Sequence, residues 1–342
     1  MNLRDTGKKS ITSERELLDL IRSIVDETGG RLRLSLGDDA AIIGALRGND
    51  LVFTIDSFLG GIHFEIRWGS NSEIGHRAMA GALSDIAAMG ARPVAAFVSL
   101  GLPSVPESDQ IKSLYRGFLR CADRFGCAIA GGETVRTKVD FVITIGILGE
   151  VKKGTALTRS GAVPGDHIYV SGWLGGARAA LRCLETECGG EALKHRMRGV
   201  FFGSLPRIDE AEYLRMNCDV SAMIDISDGL STDLYNLVKE SGVGAVVCEK
   251  SLPVSEEAVK VSELLGEDIL DYVLNGGEEY ELLVTVHDEV SETVRSEFAR
   301  RFGLEITPIG TVSESGMFIE SPSGKRSPLV PEGYDHMRRR NS

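Results

Sequence analysis

Acidic residues stand inside or at the end of apolar segments throughout this chain. Six of them occupy positions where a folded protein normally buries apolar side chains: Asp39, Asp56, Asp85, Glu133, Asp225 and Asp228. Burying an unpaired carboxylate is costly, so repeated burial requires cations or positive side chains as partners. Arg92 and Arg136 lie close to these segments in the sequence, and two arginines cannot neutralise six carboxylates. The pattern therefore indicates bound divalent metal, and oxygen ligands of this kind favour Mg²⁺.

The segment Met223–Leu230 carries the strongest local signal. An apolar strand ends at Asp225 and Asp228, and a helical pattern follows at once. Asp228 could be a helix N-cap, but a cap needs only one acceptor and does not explain Asp225. The junction of strand and helix also directs backbone N–H groups toward an anion. The segment Asn275–Leu282 is related, with two glycines beside Glu278, and a simple glycine turn is the alternative there.

Other polar positions are ambiguous when each is taken singly. Asp85 lies inside a helical run of Ala and Gly, where a solvated carboxylate would need polar neighbours. Thr54 and Asp56 end a strand-like run, which is also typical of an ordinary strand end. Arg159 lies between the two halves of the chain, where enzymes often form a cleft, or it is a surface arginine. His63 follows two glycines and is either a structural histidine or a donor to a phosphate or a substrate ring.

Both halves of the chain show mixed α/β patterns. A chain of 342 residues is long enough for two domains. The segment Lys152–Pro164 is the predicted linker, so we expect an N-terminal domain over residues 1–152 and a C-terminal domain over residues 153–342. The predicted elements include a small-residue helix over residues 71–90, a helix over residues 107–125, strands over residues 127–130, 167–171 and 222–226, and a helix over residues 228–241.

Charge and cysteine usage exclude several classes of protein. The net charge of −12 argues against a protein that binds nucleic acid by neutralising phosphates. None of the six cysteines forms a CxxC pair, so a zinc site or a disulfide framework is not expected. The chain has no run of about 18 apolar residues and no apolar leader at Met1, so we expect no membrane partner and a cytoplasmic protein with reduced thiols.

The common catalytic motifs are also absent. The sequence contains no P-loop pattern, no glycine-rich dinucleotide pattern after a strand, no serine-hydrolase elbow and no zincin motif. Phosphates, if bound, must therefore be held by metal and by loops of another design.

Taken together, the motifs resemble those of thiamine-monophosphate kinases. The similarity runs from about residue 35 to residue 336 and rests on motifs that occur in the family's order: Gly37-Asp38-Asp39-Ala40-Ala41, Thr54-Ile55-Asp56, Gly61-Ile62-His63-Phe64, Leu83-Ser84-Asp85-Ile86-Ala87-Ala88-Met89-Gly90-Ala91, Gly131-Gly132-Glu133-Thr134, Thr158-Arg159-Ser160-Gly161, Ile224-Asp225-Ile226-Ser227-Asp228-Gly229-Leu230, Gly276-Gly277-Glu278 and Gly333-Tyr334-Asp335-His336. The wider superfamily includes aminoimidazole ribonucleotide synthetase and selenophosphate synthetase.

The resemblance implies a two-domain α/β fold of the aminoimidazole ribonucleotide synthetase type. The N-terminal domain would form a barrel across a homodimer, and the C-terminal α/β domain would close the active-site cleft. The implied reaction transfers a phosphoryl group from ATP to thiamine monophosphate with several Mg²⁺ ions. The implied site residues are, for metal, Asp39, Thr54, Asp56, Asp85, Glu133, Asp225 and Asp228; for ATP, Gly132, Glu133, Arg159 and Ser227; for the acceptor, His63, Glu278 and Tyr334; and for catalysis, Arg159 and Asp228.

The chain departs from the family pattern in three places. Glu133 stands where the family usually has Asp, and Val135-Arg136-Thr137 replaces Thr-Arg-Gly. Glu279 replaces the Asp of Gly-Gly-Glu-Asp-Tyr, and Pro331-Glu332 replaces an aromatic residue before Gly333. A Glu at position 133 reaches one methylene further than Asp, so we expect an altered metal spacing.

These departures leave two alternatives to the kinase. One is a related ATP-dependent synthetase that activates an amide or carbonyl through a phosphoryl intermediate. The other is a non-catalytic nucleotide-binding dimer. Release of ADP that depends on thiamine phosphate separates the kinase from the synthetase, and ATP binding without ADP formation would favour the non-catalytic dimer.

Overall fold

The computed structural model describes residues 32–34, 40–44, 48–138 and 140–337. Asp39, one of the predicted metal ligands, lies outside these residues. Strands and helices fall into two groups that meet along one long helix. Each group is built on its own mixed β-sheet.

The N-terminal half contains a six-stranded sheet. Its strands are β1 (Leu32–Leu34), β2 (Ala41–Gly44), β3 (Asn49–Leu59), β4 (Arg92–Leu102), β5 (Ala128–Arg136) and β6 (Val142–Lys152). Their order in the sheet is β1-β2-β3-β6-β4-β5, with β4 and β5 parallel and the other neighbours antiparallel. The strand β5, which extends six residues beyond its predicted end, is an edge of this sheet.

Two helices cover one face of the N-terminal sheet. They are α1 (Asn71–Ala88) and α2 (Ser108–Ala122). A capping box begins α1, because the Ser70 hydroxyl accepts from the Glu73 N–H and the Glu73 carboxylate accepts from the Ser70 N–H. Glycines let the two helices touch through their backbones, since a Cβ on Gly75 would overlap the carbonyl of Leu114 and a Cβ on Gly117 would overlap the carbonyl of Ser72.

The other face of the N-terminal sheet carries exposed apolar side chains. Alternate residues of a strand point to opposite faces. In β3, Val52 is buried against the helices whereas Phe53 and Ile55 are exposed, Ile55 by 65%. Phe97 of β4 and Val135 of β5 are exposed as well.

The C-terminal half contains a seven-stranded sheet. Its strands are β7 (His167–Ser171), β8 (Val220–Asp225), β9 (Gly244–Cys248), β10 (Leu282–Val286), β11 (Ile306–Ser313), β12 (Met317–Glu320) and β13 (Arg326–Pro328). Their order is β13-β12-β9-β11-β7-β10-β8, with β9 and β12 parallel and the other neighbours antiparallel.

Helices cover both faces of the C-terminal sheet. They are α3 (Gly176–Thr186), α4 (Glu191–Phe202), α5 (Ile208–Asn217), α6 (Leu230–Ser241), α7 (Glu256–Leu265), α8 (Ile269–Asn275) and α9 (Glu292–Phe302). Short 3₁₀ turns lie at Ile66–Trp68, Asp123–Phe125 and Glu249–Ser251. Neighbouring strand residues belong to different cores: Tyr169 packs toward α4 and α5, and Ile168 and Val170 pack toward α6. Such strands read as continuous apolar runs because both of their faces are buried.

The helix α1 joins the two halves. Its His76 Nε2 lies 3.2 Å from the Ser204 carbonyl, and the Ser84 hydroxyl donates to the Asp225 carboxylate at 2.5 Å. At the start of β4, Arg92 forms ion pairs with Asp209 and Glu212 of α5. The apolar core that contains α1 continues into the C-terminal half, so the two sheets share one packed boundary. In the described residues, no helix combines the length and the apolar character needed to cross a membrane.

Candidate active site

A cleft with a volume of about 740 Å³ lies between the two halves. Its walls come from the end of β3 and the loop that follows, from α1 and α3, and from the loops that follow β8 and α8. The chain segment after β13 forms the remaining wall, with Glu332 to His336. Most of the predicted site residues meet here: His63, Asp56, Asp85, Asp225, Ser227, Asp228, Glu278 and Tyr334 all line the cleft.

Four aspartates converge on this cleft from separate elements. Asp56 lies in β3, Asp85 in α1, Asp225 at the end of β8 and Asp228 in the loop that follows. Two of them are oriented by hydroxyl donors: Thr54 donates to Asp85 and Ser84 donates to Asp225, each at 2.5 Å. The predicted metal residue Thr54 therefore contacts the site through Asp85, and it does not line the cleft itself.

The loop between β8 and α6 is held by a buried carboxylate that the sequence analysis missed. Asp233 Oδ2 accepts the backbone N–H groups of Ser227, Asp228 and Gly229 at 3.0–3.1 Å. The N-cap of α6 is Gly229, so the alternative of Asp228 as N-cap is wrong. The expectation that this junction offers its N–H groups to an anion is also corrected, because Asp233 already accepts three of them. The loop is thus fixed by its own helix, and Asp228 lines the cleft.

Burial and mutual repulsion raise the pKa of two carboxyl groups at the cleft and in its supporting loop. The pKa of Asp56 is raised to about 6, chiefly by burial and also by the nearby Glu278 carboxylate, against a lowering by the Ser57 N–H and His336. Burial also raises the pKa of Asp233, with further contributions from Asp228 and Asp225. Carboxylates so arranged are stabilised in the ionised form by a cation.

The donor set fits Mg²⁺. The cleft offers carboxylate oxygens near one another, which are the ligands that this ion prefers. In the part of the chain that the structure describes, no three His, Cys, Asp or Glu side chains converge closely enough to hold a metal alone. Mg²⁺ usually takes one or two protein carboxylates and completes its shell with phosphate oxygens and water, so a shared arrangement with a nucleotide fits these residues.

Aromatic rings also line the cleft. The ring of His63 lies 5.5 Å from Phe58 and 5.3 Å from His336, and Tyr334 lies 4.7 Å from His336. His63 Nδ1 accepts the Leu59 N–H at 3.1 Å. Burial lowers the pKa of His63; Glu278 raises it, and His336 and Arg77 lower it. This face suits a flat ring bearing a positive charge.

The C-terminal segment reaches the cleft because a glycine allows close approach. The Gly333 N–H donates to Thr232 Oγ1 at 3.0 Å, and the Tyr334 N–H donates to the Asp228 carbonyl at 2.9 Å. A Cβ on Gly333 would overlap that carbonyl. Tyr334 is therefore tied to the same loop that carries Asp228.

The loop with Glu278 adopts an unusual backbone conformation. Glu278 and Tyr280 both have positive φ, 61° and 56°. Their N–H groups donate to the carbonyls of Ser227 and Ile226 at 2.7 and 2.9 Å, which fixes this loop against the Asp228 loop. Residues other than glycine rarely adopt this conformation, and such strain is concentrated at functional sites.

Three predicted residues lie away from the cleft in this chain. Gly132 and Glu133 are exposed on the edge strand β5. Only glycine fits at position 132, where φ is 156° and a Cβ would overlap the Val98 carbonyl. Arg159 is half-buried outside the cleft, near enough to Asp233 to oppose part of the rise in the pKa of that carboxyl. A buried arginine on α1, Arg77, was not predicted and contacts Glu278.

The domain families recognised in this chain agree with its two halves. Residues 37–151 match the N-terminal domain of AIR synthase related proteins, and residues 163–320 match the C-terminal domain of the same proteins. The two matches correspond to the two sheets.

Relatives and solved structures extend this similarity over nearly the whole chain. A thiamine-monophosphate kinase from Bacillus subtilis (strain 168) is 32% identical over 94% of this chain and 99% of its own. A solved structure described as AaThiL complexed with AMPPCP and TMP has a TM-score of 0.81 at 29% identity, covering 98% of this chain and 99% of that one. A thiamine-monophosphate kinase structure from Stenotrophomonas maltophilia K279a has a TM-score of 0.74 at 33% identity, covering 91% of this chain and 96% of that one. This chain therefore belongs to the thiamine-monophosphate kinase family of AIR synthase related proteins.

Proposed function

We propose that this protein transfers the terminal phosphoryl group of ATP to the phosphate of thiamine monophosphate, forming thiamine diphosphate and ADP. The observation that carries the proposal is the cleft itself, which is lined by four aspartates and by a group of aromatic rings. One part of the cleft suits metal-bound phosphates, and the other suits a flat cationic ring. The named relatives act on an acceptor of this kind, and they do not favour the synthetase or the non-catalytic dimer.

The acceptor needs no general base. A phosphate monoester has a second pKa of about 6, so at neutral pH it is already a dianion. The obstacle is repulsion between two polyanions, and catalysis then depends on positioning and charge stabilisation. Asp56, Asp85, Asp225 and Asp228 would hold Mg²⁺, together with Asp39 and Glu133 if these are brought to the cleft. When bound, Mg²⁺ supplies positive charge against the phosphate oxygens.

The protein's own groups fix the reactants. Asp233 holds the loop of Ser227 and Asp228 in one conformation, and Ser84 and Thr54 orient Asp225 and Asp85. His63 presents an imidazole that burial keeps neutral beside Tyr334 and His336. We propose His63, Glu278 and Tyr334 for the acceptor, Ser227 and Gly132 for ATP, and Arg159 with Asp228 for the transferring group.

We also propose that the protein is a homodimer whose N-terminal sheets form a barrel together. Support comes from the exposed apolar face with Phe53, Ile55 and Phe97, which a second sheet would cover. Gly132 and Glu133 lie on the edge strand β5 of the N-terminal sheet, away from the cleft, so a second subunit or a domain movement must bring them to a cleft if they contact ATP.

The division into domains and the location of the protein complete the proposal. We place the N-terminal ATP and Mg²⁺ domain at residues 1–152 and the C-terminal domain at residues 153–342, since β6 ends at Lys152 and β7 begins at His167. A cytoplasmic location is supported by the six cysteines, which are all free thiols.

The test is the dependence of ADP release on the acceptor. Purified protein with ATP and Mg²⁺ should release ADP rapidly when thiamine monophosphate is added and slowly with unphosphorylated thiamine. ADP release that follows an added amide substrate would favour the synthetase. ATP binding without ADP release under any of these conditions would favour the non-catalytic dimer.

A further inference from the structure

The guanidinium of Arg77 is buried inside the cleft wall. Arg77 lies in the middle of α1 and is 1% exposed. The residues that follow it on the helix, Ala78 to Leu83, are small or apolar, and a positive charge in such surroundings is costly unless the group is paired and hydrogen-bonded. The contacts of Arg77 therefore indicate what the buried charge is for.

Arg77 bonds two segments of the C-terminal half at once. Its Nη1 donates to the Phe201 carbonyl in the last turn of α4, where the helix presents unpaired carbonyls and a partial negative charge. Its Nη2 donates to Glu278 Oε2 at 2.6 Å. The guanidinium carbon lies 3.7 Å from the centre of the Phe201 ring. The ring therefore packs on one face of the guanidinium, while two of its nitrogen atoms donate hydrogen bonds.

Glu278 is thereby fixed with one oxygen engaged and one unpaired. Its Oε2 accepts from Arg77, and its Oε1 is buried without a hydrogen-bond partner among the described residues. The backbone of Glu278 has a φ of 61°, and Gly276 and Gly277 precede it. A carboxylate held in a costly backbone conformation, with an unsatisfied oxygen in the wall of a cleft, is suited to receive a donor from a bound molecule.

We propose that Arg77 is a positioning residue for the acceptor: it fixes the Glu278 carboxylate so that Oε1 binds a hydrogen-bond donor or a positive group of the molecule in the cleft. The chemical class is a compound with a cationic ring or an aromatic amine, and thiamine monophosphate has both. This inference rests on the proposed function. Arg77 acts through Glu278 and itself contacts no substrate.

A second arginine, Arg92, provides a comparison that separates a positioning role of Arg77 from a role in simply attaching the two halves to each other. Arg92 also joins the N-terminal sheet to the C-terminal half, through Asp209 and Glu212 of α5. It lies outside the cleft and is half-exposed. If Arg77 only attached the halves, replacing either arginine would have the same kind of effect.

The experiment compares Arg77→Lys, Glu278→Gln, their combination and the control Arg92→Lys. Lysine keeps the positive charge but cannot form the two directed bonds and the ring contact together. The readouts are kcat, KM for each substrate, and Kd for thiamine monophosphate by calorimetry with a non-hydrolysable ATP analogue. Thermal unfolding of each variant reports on folding.

Arg77→Lys should raise KM and Kd for thiamine monophosphate about 10-fold and leave KM for ATP within about 2-fold. The double variant should be no more than about 2-fold worse than Glu278→Gln alone, because both changes remove the same interaction. Arg92→Lys should change neither KM. Equal loss for both substrates, additive losses in the double variant, or a matching effect of Arg92→Lys would overturn the proposal.

A second variant covers failure of Arg77→Lys to fold. Phe201→Leu removes the ring beneath the guanidinium and leaves both charged partners in place, and it should raise KM for thiamine monophosphate selectively. An unchanged KM would contradict the positioning role. If the wild-type protein converts thiamine monophosphate normally and the variants are unaffected, only the positioning role of Arg77 is refuted. If the wild-type protein neither binds nor converts thiamine monophosphate, the proposed function is refuted and this inference with it.

Discussion

Each aspartate of the cleft is held in place by a different local device. Asp56 accepts from the Ser57 N–H, Asp85 from Thr54 and Asp225 from Ser84, and the loop of Asp228 is bound by Asp233. None of these devices neutralises a charge. These carboxylates form an acidic group that lines the cleft, and their loss should affect the reaction more than the fold.

Replacing Asp228 with Asn tests this directly. We expect kcat to fall by about 100-fold or more, because the role proposed for Asp228 at the transferring phosphate depends on the charge of its carboxylate. The thermal unfolding midpoint should change little, since the substitution keeps the shape of the side chain. The matched control is Asp219→Asn immediately before the same strand, where the carboxylate is exposed and away from the cleft. Full activity of Asp228→Asn would contradict the assigned role.

The pair of His287 and Asp166, which does not line the cleft, should make the stability of the protein depend on pH. His287 Nδ1 lies 2.9 Å from Asp166 Oδ1, and this contact raises the pKa of His287 above its ordinary value of 6.5. Asp166 has a lowered pKa because Ser221, the Val163 N–H and His287 stabilise its carboxylate against the effect of burial. The contribution of His287 is therefore complete below its unfolded pKa and is lost as the pH rises through its folded pKa. The contribution of Asp166 is lost only in acid, as the pH falls through its own folded pKa.

The measurement is denaturant unfolding of the wild-type protein and His287→Gln at about pH 5.5 and about pH 8.5. The wild type should be the more stable protein at the lower pH and should lose its advantage at the higher pH. Because the His287 side chain is 42% exposed, the difference should be below about 1 kcal/mol. A constant difference across this range would show that the pair does not titrate as described.

At the scale of elements, the contact of α1 with α2 depends on glycine. A Cβ at Gly117 would overlap the Ser72 carbonyl and lie 2.8 Å from the His76 N atom. Gly117→Ala should therefore destabilise the protein by about 2–3 kcal/mol through displacement of α1. The matched control is Gly199→Ala in α4, where a Cβ meets nothing within 4 Å, and this change should stabilise by about 0.5–1 kcal/mol. Urea unfolding of both variants checks the prediction. It would be refuted if Gly117→Ala and Gly199→Ala changed the free energy of unfolding in the same direction by similar amounts.

The sequence predicts elements well where the apolar pattern is uninterrupted. The strand expected over residues 167–171 is present with the same bounds, and the small-residue helix over residues 71–90 is observed as Asn71–Ala88. The predicted helix over residues 107–125 divides into α2 and a 3₁₀ turn, Asp123–Phe125. In these segments, local pattern and tertiary packing favour the same structure.

The helices α4 and α5 were not predicted, and the incompletely predicted strand β5 is a related case, because their local sequence patterns are not typical of a helix or a strand. The helix α5 buries Glu210, which pairs with Arg207, so a charged residue stands on its apolar face. The helix α4 carries Gly199 in its interior, which lowers its helix propensity. The strand β5 was predicted only as far as residue 130; the missed part begins with two glycines and carries exposed side chains, and its pairing with β4 defines it as a strand.

The candidate site was predicted where a carboxylate ends an apolar segment and was missed where function depends on long-range contacts. Asp225 and Asp228 are evident from the sequence because strand and helix patterns meet there. Arg77 is not, because its partner Glu278 is 201 residues away in the chain. Asp233 reads as an ordinary residue of the first turn of α6, and its role follows from the backbone geometry of the preceding loop.

At the scale of the whole molecule, the bare face of the N-terminal sheet predicts self-association. Ile55→Asp places a charge on this face, where Ile55 is 65% exposed, and should convert the dimer to monomer in sedimentation experiments. The matched control is Leu264→Asp on α7, which is 54% exposed in the C-terminal half and should leave the dimer intact. A wild-type monomer, or a dimer that survives Ile55→Asp, would remove the support for a shared barrel.

The central claim is that the cleft between the two halves joins ATP to thiamine monophosphate with the help of Mg²⁺. The most direct measurement incubates the purified protein with all three and follows thiamine diphosphate by chromatography. We expect product to accumulate with ADP, to disappear with EDTA and to return when Mg²⁺ is restored. Absence of product while ATP remains bound, or formation of product unaffected by EDTA, would contradict it.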